Sequence, residues 1–183
     1  FKDAFNRAAA ESRAALVGYL VAGDCNAADF DAACDAGLDI LELGVPSADP
    51  FLDGPVIRAA HVRARASRLP GQTACGGAIE IARELRARGL VTPIVLMGYA
   101  VDFTEPPPAG LVDAILPVGG KPAFDFPTIP LCLPGEEPRR GAGFLYLVTR
   151  TGKTGGGKLD YAAIARRAAA VRTAVAPLPV CLG

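Results

Sequence analysis

The sequence predicts an α/β fold built on a buried parallel sheet, and three observations carry that expectation. Its short apolar runs are continuous rather than alternating: AALVGYLVA at 14–22, LDILELGV at 38–45 and PIVLMG at 93–98. Strands of this kind are covered on both faces, as in a parallel sheet under helices. Helical stretches separate these runs, giving the β-α-β-α alternation of the class. Finally, 51% of the 183 residues are hydrophobic and 21% charged. That composition supports a packed core and excludes intrinsic disorder. The length suits a single domain over 1–183.

The elements follow in order. Residues 2–12 read as a short amphipathic helix, and 14–22 as the first strand. Asn26 or Ala27 opens a helix through about Ala36, which Gly37 ends. The second strand, 38–45, runs into a loop rich in Pro and Asp, PSADPFLDGP at 46–55. Helices are expected at 56–68 and 73–88, the latter ended by Gly89. Strands follow at 93–98, 111–118, 128–133 and 143–149. A helix at 159–174 places Ile164, Ala165, Ala168 and Val171 on one face, and a seventh strand occupies 178–182. The segments VDFTEPPPAG, GGKPAFDFP and PGEEPRRGA separate strands three to six. Proline bars a helix interior in each. Each is also too short for an ordinary crossover, which takes at least about 10–12 residues including its helix. The outer helices after strands three, four and five are therefore expected to be short or missing.

Composition narrows the function. The 19 basic and 19 acidic side chains balance, which argues against a nucleic-acid binder. No apolar run reaches the roughly 18 residues of a membrane span, and the charged N-terminus is unlike a secretory signal. The five cysteines form no C-x-x-C pair and His61 is the single histidine. A Cys/His metal site is not expected, and reduced, buried cysteines point to a cytoplasmic protein. His61 itself reads as an ordinary helical residue.

Two stretches carry chemistry. In LELGVPSADPFLDGP (41–55), Glu42 interrupts an apolar strand, and Asp49 and Asp53 follow in the loop. A carboxylate facing a core has its pKa raised toward that of a working acid or base. Loops at the C-terminal ends of strands hold the active site in such folds. Glu42 on an exposed face, with turn aspartates after it, is the competing interpretation. The second stretch, RTGKTGGGK at 150–158, precedes a helix and suits an anion or a mobile lid. It is not a nucleotide P-loop, because that motif requires Gly at 147 and Leu147 is there.

LELGVPSADPFLDGPVI (41–57) closely resembles the signature of the tryptophan synthase alpha subunit family. GYLVAGD (18–24), PIVLMGYA (93–100) and GFLYLVTRTGKTG (143–155) resemble further segments of it in the same order. The resemblance implies a (β/α)8 barrel, here with seven readable strands and no eighth. It implies a lyase that cleaves indole-3-glycerol phosphate to indole and glyceraldehyde 3-phosphate in tryptophan biosynthesis. It further implies no cofactor in this chain, pyridoxal phosphate belonging to a partner beta subunit in an alpha-beta-beta-alpha complex. Carried over residue by residue, Glu42 matches the general acid/base. Asp53 matches the aspartate that stabilises charge at the indole nitrogen, and Tyr146 the tyrosine beside the catalytic glutamate. Tyr19, Ile57, Met97 and Tyr99 fall at positions lining the indole pocket. Thr154 matches the lid threonine, and Gly155 and Gly183 match phosphate-binding glycines. Ser47-Ala48-Asp49 departs from the family's aromatic-Ser-Asp, and Lys153 replaces an apolar lid residue. Two other functions remain open at this stage: a non-catalytic or truncated barrel acting as a binding or regulatory module of a beta-type partner, and another phosphosugar barrel.

Overall fold

A computed structural model describes residues 1–152 and 159–183 of the chain. Among them the order is α1 (Lys2–Ala10), β1 (Val17–Val21), α2 (Ala27–Asp35), β2 (Ile40–Gly44), α3 (Pro55–Ala66), α4 (Ala74–Ala87) and β3 (Ile94–Tyr99). A 3-10 turn (Ala100–Asp102), β4 (Ala114–Val118), β5 (Leu131–Cys132), β6 (Leu145–Leu147), α5 (Tyr161–Val175) and β7 (Val180–Leu182) complete it. The helices start where local chemistry satisfies free N–H groups. Asn26 and Asp29 form a reciprocal capping box on α2, Thr73 Oγ1 accepts from Gly76 N–H on α4, and Pro55 sits in the first turn of α3.

Every strand pairing is parallel, and the strands lie side by side in chain order, β1 to β4 in one sheet and β5 to β7 in another. Ile115 joins the two: its N–H donates to Pro127 O at 2.8 Å and its carbonyl accepts from Ile129 N–H at 2.9 Å. This is the wall of a (β/α) barrel with its strands in sequence. Between β3 and β6 the described residues hold no α-helix, as the proline-rich connections predict. β5 is shorter than expected: two residues instead of 128–133. Pro130 lies within that run and has no N–H to offer the ladder.

Alternation along the strands sorts the core into two sides. Leu41, Leu43, Val45, Ile94 and Leu96 pack outward against Phe30 of α2 and the apolar face of α4. Ile40, Val95, Leu116 and Met97 point inward toward Phe144. Phe1 and Phe5 set their rings edge-on against Phe144, at 5.9 and 6.0 Å between centroids. Helix α1 thereby plugs the end of the barrel where the strands begin, leaving the C-terminal ends open for a site.

Asp39 fastens that plug. Its carboxylate is 1% exposed. It accepts from Arg7 Nη2 at 2.9 Å, Arg13 Nη1 at 2.5 Å and Leu16 N–H at 2.9 Å. The Arg13 guanidinium, with these further donors, holds the Asp39 carboxyl well below the usual carboxylate range. Because the folded pKa is depressed, the stability this group contributes is present above its unfolded pKa and is lost as pH falls below it. Asp39→Ala is expected to cost about 2–4 kcal/mol by urea unfolding at neutral pH, and less in acid. An equal loss at both pH values would contradict the tether.

Candidate active site

Glu42 is placed by strand alternation. Its neighbours Leu41 and Leu43 point outward, so Glu42, like Ile40, faces the barrel interior. It pairs in register with Tyr19 of β1 and Val95 of β3 and is 4% exposed. Oε1 has no hydrogen-bond partner. Burial without a compensating cation pushes its pKa up to about 7, where a carboxyl can both give and take a proton near neutrality. The exposed-face interpretation of Glu42 is thus excluded.

Tyrosines ring the carboxyl. Tyr19 lies across the backbone of Gly44, where any Cβ would stand 2.5 Å from the phenol oxygen. Glycine is required there by a close approach rather than by a special dihedral. The Tyr19 hydroxyl is raised above its ordinary value chiefly by burial, with smaller contributions from Asp53, Tyr99 and Glu42. Tyr146 on β6 is pushed up to about 12 by burial and by Glu42. Gly183 follows β7, and a Cβ on it would collide with the Tyr146 hydroxyl. Its own N–H is engaged with Leu147 O at 3.1 Å. Tyr19, Glu42, Tyr146, Cys181 and Gly183 line a cavity of about 820 Å³ between the β1 and β7 edges, together with Phe5 of α1, Arg13 after it and Arg172 of α5; Asp53 and Tyr99 are not on its wall.

The loop after β2 holds the second carboxylate. Asp53 Oδ2 accepts the Tyr99 O–H at 2.9 Å, and Tyr99 Oη accepts the Leu52 N–H at 3.1 Å. The Phe51 ring covers Tyr99 at 4.9 Å. Tyr99 therefore fixes Asp53 as well as lining the site. Ile57, on the first turn of α3, packs with Tyr19 and Val21, and Met97 faces the interior from β3. Thr154 and Gly155 lie outside the described residues. Among the described residues no group of three or more His, Cys, Asp or Glu is arranged to hold a metal ion.

Residues 5–105 match the family described as Tryptophan synthase alpha chain. That span carries both carboxylates and the loop between them. The tryptophan synthase alpha chain of Desulfosudis oleivorans is 36% identical, covering 99% of this chain and 77% of that one. The chain belongs to the tryptophan synthase alpha chain family. The Chromobacterium violaceum member is 34% identical over 92% of this chain and 74% of its own length. A solved alpha subunit from Legionella pneumophila superposes with a TM-score of 0.74 at 23% identity, covering 100% of this chain and 76% of that one. A Pyrococcus furiosus chain, from the tryptophan synthase a2b2 complex, gives 0.66 at 26% identity, covering 92% of this chain and 77% of that one. The alignment with the Desulfosudis protein runs over 211 positions. The relative thus carries extra residues inside the matched span, as the short connections here require.

One family-independent residue escaped the sequence. His61, expected to be an ordinary helical residue, is 2% exposed and accepts the Ser47 N–H on Nδ1 at 3.0 Å. The signal was present in the spacing: residues 57, 60, 61 and 64 follow i, i+3, i+4, i+7, the inward face of α3. Asp102, on the turn after β3, was also missed. It faces Ser47 and His61 from the other side, and burial pushes its carboxyl up.

Raising the Glu42 pKa in the folded state has a consequence for stability. The folded chain holds a proton that the unfolded chain releases from about pH 4.5, so stability falls as pH climbs toward 7 and then levels. Glu42→Gln is expected to stabilise the chain by about 2–3 kcal/mol at pH 8 and by little at pH 4.5. Denaturant titrations at the two pH values check this, and a pH-independent difference would refute the buried, unpaired carboxyl.

Proposed function

We propose that this alpha-type lyase cleaves indole-3-glycerol phosphate through Glu42 and Asp53, releasing indole and glyceraldehyde 3-phosphate. The observation that carries the proposal is the Glu42 carboxyl, buried, unpaired and lifted to about 7, facing a cavity lined by Tyr19 and Tyr146. Protonated Glu42 delivers its proton to the ring carbon that bears the glycerol chain. Positive charge then develops at the ring nitrogen, where the Asp53 carboxylate, held by Tyr99, stabilises it. Glu42, now a carboxylate, takes the proton from the adjacent chain hydroxyl, which turns that C–O into a carbonyl and restores the acid. The carbon–carbon bond breaks and its electron pair returns to the ring, leaving indole and an aldehyde. No electron is gained or lost overall, and on this account the chain's own reaction uses no cofactor.

Tyr19, Ile57, Met97 and Tyr99 supply the apolar and aromatic walls for the ring. Thr154 and Gly155 are assigned to the lid and phosphate side by their match to the family; Gly183 matches the same side, but its N–H is taken by Leu147 O. The likeness to a chain of the Pyrococcus furiosus a2b2 complex supports a beta subunit as partner, with pyridoxal phosphate held there. No helix among the described residues is long and apolar enough to cross a membrane, and all five cysteines are free, which supports a cytoplasmic location.

Indole release from indole-3-glycerol phosphate, with and without a beta subunit, tests the function. Glu42→Gln and Asp53→Asn are each expected to lower the rate by about 10²–10⁴-fold. The wild-type rate should change with a midpoint near the Glu42 value of about 7, a dependence that Glu42→Gln removes. Wild-type indole production no greater than that of Glu42→Gln, under both conditions, would reject it.

A further inference from the structure

His61 has a role in the site that the reaction scheme leaves unassigned. Because Nδ1 accepts the Ser47 N–H at 3.0 Å, that nitrogen carries no proton, and a neutral ring must place its proton on Nε2. Nε2 is buried without a hydrogen-bond partner, and Asp53 Oδ2 lies 3.4 Å from it. The same carboxylate oxygen takes the Tyr99 O–H. The two atoms are within hydrogen-bond distance but poorly aligned; a small movement of the loop would align them, and hydrogen bonds of catalytic groups often tighten only when substrate is bound.

We propose that His61 is a positioning residue: its neutral imidazole fastens the β2–α3 loop at Ser47 and aims the Asp53 carboxylate at the substrate. This rests on the assignment of Asp53 made above. The charged groups facing the ring are Asp53 from the loop and Asp102 from the turn after β3, with Arg65 of α3 itself acting on Asp102. Charging the ring would put a proton on Nδ1 against the Ser47 N–H, so the tether holds only in the neutral form.

The chain has one histidine, so the imidazole nitrogen spectrum of an isotope-labelled sample reports His61 alone. The neutral ring is expected as the Nε2–H tautomer. Three variants separate the two contacts in the indole-release assay with a beta subunit. His61→Asn keeps an acceptor for Ser47, His61→Gln keeps a donor toward Asp53, and His61→Leu keeps neither. The first two are expected to lower kcat about 10-fold and the third about 100-fold, with KM changed less than about twofold. In an Asp53→Asn background, His61→Leu should change kcat less than about twofold, since it acts through that carboxylate. If His61→Leu does not fold, the Asn and Gln variants decide. An Nδ1–H tautomer, wild-type kcat in these variants, or the same loss in the Asp53→Asn background overturns the proposal. If Asp53→Asn itself releases indole at the wild-type rate, the assignment of Asp53 falls and the proposal with it. If Asp53→Asn is silenced and the His61 variants are not, the proposal alone fails.

Discussion

A single carboxyl buried without a counter-charge governs the rest of this structure. Glu42 sits in a strand that is covered on both faces, and burial leaves its Oε1 without a partner to support its charge. Such a group costs stability, and the fold tolerates it because the opposite face of the same strand is so well packed. Leu41, Leu43 and Val45 are fully buried against α2 and α4. The strand is anchored by its outer face and is free to carry chemistry on its inner one. Gly44 follows from the same constraint, since only the bare backbone lets the Tyr19 ring lie beside the carboxyl. Desolvation, rather than any neighbouring acid or base, is what brings Glu42 into a range where proton transfer at neutral pH works in both directions.

The second carboxylate is held differently, and the contrast divides the labour. Asp53 stands on a loop, partly open to solvent, and takes a hydrogen bond from Tyr99. A charge that must meet a developing cation is best left hydrated and aimed. A group that must change protonation is best left dry. One turn of chain, Pro46 to Pro55, separates the two environments. The loop is bound on both sides: by Tyr99 of β3 at Leu52 and Asp53, and by His61 of α3 at Ser47. The departure at Ser47-Ala48-Asp49 falls where the loop is tied both by backbone, through the Ser47 N–H to His61, and by side chain, through Ser47 Oγ accepting the Asp49 N–H at 3.3 Å.

The sequence was informative where local rules decide structure. Continuous apolar runs marked β1 to β4, and the helix starts expected at 26 or 27, 56 and 73 lie within one residue of those found. The prolines between strands three and six correctly excluded full crossover helices. Glu42 stood out because a charge in an apolar run is conspicuous. What stayed hidden depends on contacts distant in sequence. The length of β5 is set by what Pro130 cannot donate to its neighbour. The part played by His61 is set by a backbone amide fourteen residues earlier, and a lone histidine in an arginine-rich helix gives no hint of that partner. Asp102 was overlooked for the same reason: a turn residue by type, it becomes part of the site only because β3 delivers it beneath the loop.

The family model matches residues 5–105, the stretch that holds both carboxylates, while the Desulfosudis relative aligns over 99% of the chain. β1 to β3, with α3 beneath the loop, hold Glu42, Asp53, Tyr19 and Tyr99. The later strands contribute Tyr146 and Gly183 on short, proline-bounded segments. A barrel serving only as a binding module would gain stability by replacing Glu42 with an apolar residue, because the site offers its carboxyl no partner to compensate burial. The chain instead keeps that acid dry, surrounds it with tyrosines and fixes a second carboxylate on the adjoining loop with a tyrosine hydroxyl. The connections after β3 are short, while the strand that carries Glu42 is fully packed on its outer face, so the cost of the inner acid is offset where it arises.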